Sequence, residues 1–138
     1  MVDADKIVVF VRETLGCGCP EEVFRSLDYR RAVPLYGEVV LNSVVTVGNR
    51  LLVYVIEPNP ADAAQRYLPV VVTAGKQERD SRGLNRFRLV IVTDDIAENA
   101  GLFDLFHKLQ GKDEKMHLHV IKKADNIFTM DAEDEKAG

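Results

Sequence analysis

Tryptophan is missing from this chain, and cysteine nearly so, with two residues in 138. No apolar run approaches the roughly 20 residues that cross a bilayer, so no segment reads as a membrane helix and no membrane partner is expected. The start, MVDADKIVVF, has acidic residues where a signal peptide has basic ones, and no small-residue cleavage site follows; a cytoplasmic protein is expected. An excess of basic residues is missing too. Lys and Arg number 18 against 22 Asp and Glu, a formal charge of -4, whereas phosphate-backbone binding requires concentrated positive charge. Nucleic acid is therefore not expected as the main partner. The chain also lacks a glycine-rich phosphate loop, a Gly-X-Ser-X-Gly elbow and a His-Glu-X-X-His pair, so the reactions those motifs announce have no support.

What is present is an ordinary globular composition, with 46% hydrophobic and 29% charged residues, enough apolar material for one buried core. A single α/β domain over residues 1–130 is expected, followed by a disordered acidic tail over 131–138, where DAEDEKAG offers nothing to bury. Lys6 to Glu13 (KIVVFVRE) is rich in β-branched residues and reads as a first buried strand. Pro20 to Tyr29 (PEEVFRSLDY) then reads as a short amphipathic helix, with proline at its first position and Glu21 and Glu22 at the positive end of its dipole. Two β-rich runs, 38–48 and 50–58, flank Gly48-Asn49 and predict a hairpin. The next helix starts at Asn59-Pro60, is kinked or split by Pro69, and stops at Gly83. A strand over 86–95, a helix over 96–111 capped by Asp94 or Asp95, and a last strand over 115–123 complete the order. The fold class is α/β, bordering on α+β, with a mixed, mainly five-stranded sheet covered by helices.

Both cysteines fall within TLGCGCPEE: Cys17 and Cys19, separated by Gly18 and followed by Pro20. On this reading they sit between the first strand and the first helix, where α/β sheets collect their chemistry. Cys19, as N-cap, would meet the positive end of the helix dipole, which favours thiolate over thiol, while Glu21 and Glu22 oppose that shift. A disulfide between residues two apart needs a sharply bent backbone, which glycine permits, and its strain makes it easy to reduce. The CGCP placement resembles the redox turn of thioredoxin-like proteins over this stretch alone. It differs in having one intervening residue rather than two and a hairpin after the first helix, so membership of that family is not implied.

Two functional readings follow. In one, the pair cycles between dithiol and disulfide, with Cys19 attacking and Cys17 resolving. In the other, Cys17 and Cys19 supply half of a soft-metal site, zinc being the metal such a set would take, completed by His117 and His119, which share one face of the last strand. Packing alone explains two small buried sulfurs equally well. His117 and His119 also read as a solvent-facing rung of an edge strand, and His107 as an exposed group near a helix C-terminus. Asp94, Asp95 and Glu98 read as caps and dipole charges before they read as Mg²⁺ ligands, and Arg12 and Glu13 as solvated charges beside the thiol turn. Lys76 to Arg88 reads as an ion-paired surface. The rival from another class is a non-catalytic module with structural cysteines, a homodimer whose hydrophobic hairpin is covered by a second subunit.

Overall fold

The computed structural model describes residues 4–16, 25–35, 39–48, 50–58, 63–94, 101–109 and 113–125. A five-stranded mixed sheet runs through its centre in the sequential order β1 (Leu27–Pro34), β2 (Val40–Val47), β3 (Leu51–Ile56), β4 (Arg86–Val92) and β5 (Met116–Ile121). The first three strands form an antiparallel meander, and β3, β4 and β5 are parallel. Hairpins suffice for the meander, whereas parallel neighbours need crossovers. Helices α2 (Ala63–Ser81) and α3 (Leu102–Lys108) provide them. The expected α/β domain with a five-stranded mixed sheet is what forms, and the hairpin joining β2 to β3 turns at Gly48, as the sequence predicts.

The two faces of the sheet are separate cores. Leu52, Tyr54 and Ile56 of β3 meet Leu89 and Ile91 of β4 under α2 and α3, through Leu68, Val71, Leu102 and Phe106. Leu51, Val53 and Val55 point the other way, with Val90 and Val92, toward a third helix. Alternate side chains of one strand thus serve both cores, and every residue of β3 is buried.

That third helix is the main departure from expectation. Residues 6–13 form no strand; α1 (Ala4–Val9) continues into a π-helical turn, Phe10–Thr14, closed by the Leu15 N–H on the Phe10 carbonyl at 3.1 Å. The physical reason is spacing. Ile7, Phe10, Val11 and Leu15 are each at most 4% exposed, while Val9 is 53% exposed. A strand would bury residues 7, 9 and 11 together; burial of 7, 10, 11 and 15 is one helical stripe. The local β-propensity of Val and Ile yields to an apolar sheet face that needs a cover.

The predicted helix over 20–29 is also overturned where it can be seen, since Leu27, Asp28 and Tyr29 belong to β1. β1 is an edge strand with mostly exposed side chains, so it lacks the apolar density that marks an internal strand. Because β1–β2 is a hairpin pair, the expected helical crossover between the first two strands does not exist. Pro69 neither splits nor ends α2, which runs unbroken from Ala63 to Ser81. It lies on the exposed face, where water replaces the lost backbone bond, while Leu68, Val71 and Val72 hold the helix to the sheet. Gly75 sits where α2 crosses Phe87 of β4; a Cβ there would penetrate the phenyl ring, so only glycine lets helix and strand approach this closely. The expected cap at Asn59-Pro60 and the acidic tail lie outside the described residues, as do Asp95 and Glu98.

The hairpin β2–β3 needs no second subunit to cover it. Apart from Val40 and Asn42, its strand side chains are buried within the single chain, against α1 on one face and α2 on the other.

Candidate functional site

Cys17 and Cys19 lie outside the described residues, but the backbone leading to them does not. α1 and its π turn end on Leu15, 2% exposed in the core, followed by the exposed Gly16 at φ +68°. Leu15 anchors the end of the π turn in the core, and Gly16 occupies the left-handed region that glycine adopts without strain. The thiol segment therefore follows a helix rather than a strand. This corrects the strand-to-helix placement on which the likeness to a thioredoxin-type turn depends. Arg12 and Glu13 sit on the π turn, both exposed.

His117 and His119 do share one face of β5, opposite Arg88 and Val90 of β4 in the parallel register, and both are half-buried. The Nη1 of Arg88 lies 3.1 Å from Nε2 of His119. A guanidinium only donates, so Nε2 accepts and the imidazole carries its proton on Nδ1. Burial pushes the His119 pKa down to about 4, helped by the charge of Arg88 and by His117, so the ring is neutral at physiological pH. Burial likewise lowers the pKa of Arg88, with Arg86 adding like-charge repulsion. The Arg88 Nε is sealed from water with no acceptor in reach. His107 is exposed in the last turn of α3, its ring edge-on to Phe106 at 5.7 Å. Among the described residues no three His, Cys, Asp or Glu side chains come together as a metal site.

Asp94 is a cap, though not of the helix the sequence suggests. Its Oδ1 accepts the Lys123 N–H at 3.0 Å, at the start of the short 3-10 turn Lys123–Asp125, while α3 begins after Gly101 without a side-chain cap. Two parallel strand ends are adjacent in space, so the residue after β4 reaches the one after β5.

Two polar clusters were not legible in the sequence as sites. In the first, Glu78 on α2 joins three elements. Its Oε1 accepts from the Tyr54 hydroxyl of β3, and its Oε2 accepts from Arg30 of β1 and Arg82, each at 2.8 Å. Arg82 also donates to the Thr46 hydroxyl of β2 at 3.2 Å. Burial pushes the Glu78 carboxyl up, but the donors from Tyr54, Arg82 and Arg30 outweigh it and hold the pKa below its ordinary value. Burial, and then the bond to this carboxylate, push the Tyr54 phenol well above its ordinary range. Glu78 and Tyr54 form the polar floor of a 590 Å³ surface pocket whose other walls include Pro34, Leu35 and Ala74. In the second cluster, Arg79, 5% exposed, grips Asp113 with two parallel bonds of 2.9 and 2.6 Å and also bonds Asp80. The hydrogen bonds from Arg79 bring the Asp113 pKa down to about 2, and Asp113 in return holds Arg79 firmly charged. The 76–88 stretch is thus ion-paired as expected at Arg79 and Arg82, but Arg79 is internal rather than solvated.

Comparison with protein-family models, curated proteins and solved structures returns no match for this chain.

Proposed function

We propose that the Cys17–Cys19 turn carries out reversible thiol–disulfide exchange in a reducing compartment such as the cytoplasm. The observation that carries this reading is the position of the pair. The two cysteines are separated by one residue and begin two residues after a core-anchored Leu15, just past a π-helical turn, a feature frequent at functional sites. In the forward step the Cys19 thiolate attacks one sulfur of a partner disulfide, forming a mixed disulfide and releasing one thiolate. Cys17, losing its proton to solvent, then attacks the Cys19 sulfur and releases the second. The partner gains two electrons and the turn is left as a short-loop disulfide, whose strain drives the reverse reaction. The soft-metal version, with zinc held by Cys17, Cys19, His117 and His119, is the weaker one. A neutral His119 suits a metal, but its Nε2 is already occupied by the Arg88 cation, which repels a second cation.

The test is redox equilibration against glutathione, read by thiol-trapping mass spectrometry on the wild type, Cys17→Ser and Cys19→Ser. Expected are a two-electron couple in the wild type, a trapped mixed disulfide at Cys19 in Cys17→Ser, and none in Cys19→Ser. Thiols inert up to pH 8 in all three proteins would end the redox proposal. Stoichiometric zinc that both serine variants abolish would replace it with the metal version.

A further inference from the structure

Each of three arginines in this protein is met by carboxylates. Arg79 has Asp113 and Asp80, and Arg30 and Arg82 share Glu78. Arg88 is not. Among the described residues neither Arg88 nor its neighbour Arg86 makes an ion pair, although Arg88 is half-buried and its Nε is fully shielded from water. A cation withdrawn from solvent without a counter-charge lowers stability, and local violations of this kind are expected at functional or strained sites.

The surroundings define that charge. Arg86 and Arg88 are two apart on β4 and so project from the same face, with Arg86 exposed at the rim. The register sets His117 beside Arg88 and His119 one pair further along, where its imidazole accepts from Arg88. The remaining side chains of this face near α1 are apolar: Val53, Val90 and Val92. α1 covers that apolar part and leaves the β4–β5 margin only half-buried, open to a small ligand. Two guanidiniums offer planar forks of donors and two positive charges to one locus.

We infer that Arg86 and Arg88, with His119 beside them, form a binding site for a dianionic phosphate group, inorganic or carried as a monoester on a small molecule. A carboxylate would neutralise one of the two charges; a phosphate dianion neutralises both and presents enough oxygens for both forks. His119 positions the Arg88 guanidinium by accepting from Nη1, which leaves the other Nη N–H groups, not the shielded Nε, to be directed at the ligand. The inference does not rest on the thiol exchange proposed above.

Thermal unfolding and calorimetric titration with inorganic phosphate and with a nucleoside monophosphate, at constant ionic strength against chloride, test it. Phosphate is expected to raise the midpoint of the wild type. Tighter binding of the monoester assigns the site to a small-molecule ligand, and equal binding assigns it to the free ion. Arg88→Met is expected to weaken phosphate binding by about tenfold or more, and to unfold at a higher temperature than the wild type in chloride, because an uncompensated cation has gone. A merely structural Arg88 predicts the opposite shift. Arg86→Gln, at an exposed position, is expected to weaken phosphate binding while leaving the chloride midpoint no lower than that of the wild type, since it removes a like charge beside Arg88. Phosphate that acts no differently from chloride on the wild type, or equally on the wild type and Arg86→Gln, overturns the inference.

Discussion

Glu78 shows how one side chain can decide the packing of several elements. Its carboxylate, carried by α2, takes donors from β1, from β3 and from Arg82 just past the helix, so the edge strand and the long helix are bound through one ion. Burial of the Tyr54 hydroxyl, and then its donation to that ion, beside which it would have to lose its proton, explain its upward shift. Of the four tyrosines, Tyr54 is therefore expected to stay un-ionised through the usual phenol range and to titrate only on unfolding, as ultraviolet difference spectroscopy would record. The Arg79–Asp113 pair gives a pH signature. The Asp113 carboxyl falls from its ordinary 3.8 to about 2 in the fold, so the unfolded chain binds the proton more readily. The stability it contributes is complete above the ordinary value and is lost as pH falls through about 2. Asp113→Asn should remove that acid limb in urea titrations. At neutral pH it should cost about 1–2 kcal/mol, because Arg79 keeps only Asp80 as a counter-charge while Asp113 is itself partly screened by water. The pairings between elements were not legible beforehand. Glu78 and Arg82 are helix neighbours in the sequence, but Arg30 is 48 positions from Glu78 and Asp113 is 34 from Arg79.

At the scale of elements, α1 and α2 are the two places where local rules were outweighed. The stripe Ile7, Phe10, Val11, Leu15 was present in the sequence and competed with the β-branched run of Ile7, Val8 and Val9; only the sheet face beneath decided between them. Paired substitutions make the decision measurable. Phe10→Ala should cost about 3–5 kcal/mol by leaving a cavity against the sheet, while Val9→Ala should stay within about 0.5 kcal/mol. In a strand both positions would not sort this way, so equal, large losses would contradict the helix. Pro69 inside α2 is a second conflict, since proline in a helix interior is about 3 kcal/mol worse than alanine. Its exposed position leaves no compensating contact, so Pro69→Ala is expected to raise stability by about 1–3 kcal/mol in denaturant titrations. The strands β2 to β5 were legible because each is a short apolar run between turn residues. β1 was not, because Asp28, Arg30 and Arg31 make an edge strand look like a polar loop or helix end.

For the whole molecule, the sequential strand order makes β3 the centre of the chain in space as well as in sequence. It pairs on both sides and is covered on both faces, while β1 pairs only with β2 and exposes most of its side chains. Native-state hydrogen exchange is expected to protect β3 and β4 longest and β1 least; a slow β1 would mean that something covers that edge in solution. The charged side chains along β1 also guard its open edge against pairing with another strand. By itself the sequence determined the α/β class, the β2–β3 hairpin, the two helical crossovers and the placing of both cysteines within three residues, because periodicity, turn residues and spacing are local properties of a chain. The tertiary structure decided that the first apolar run is a helix, that a polar stretch becomes an edge strand, and which arginines find carboxylates. Those outcomes depend on what lies across the sheet, and an apolar face or an ionic partner dozens of residues away exerts its free energy only once the chain has folded over it.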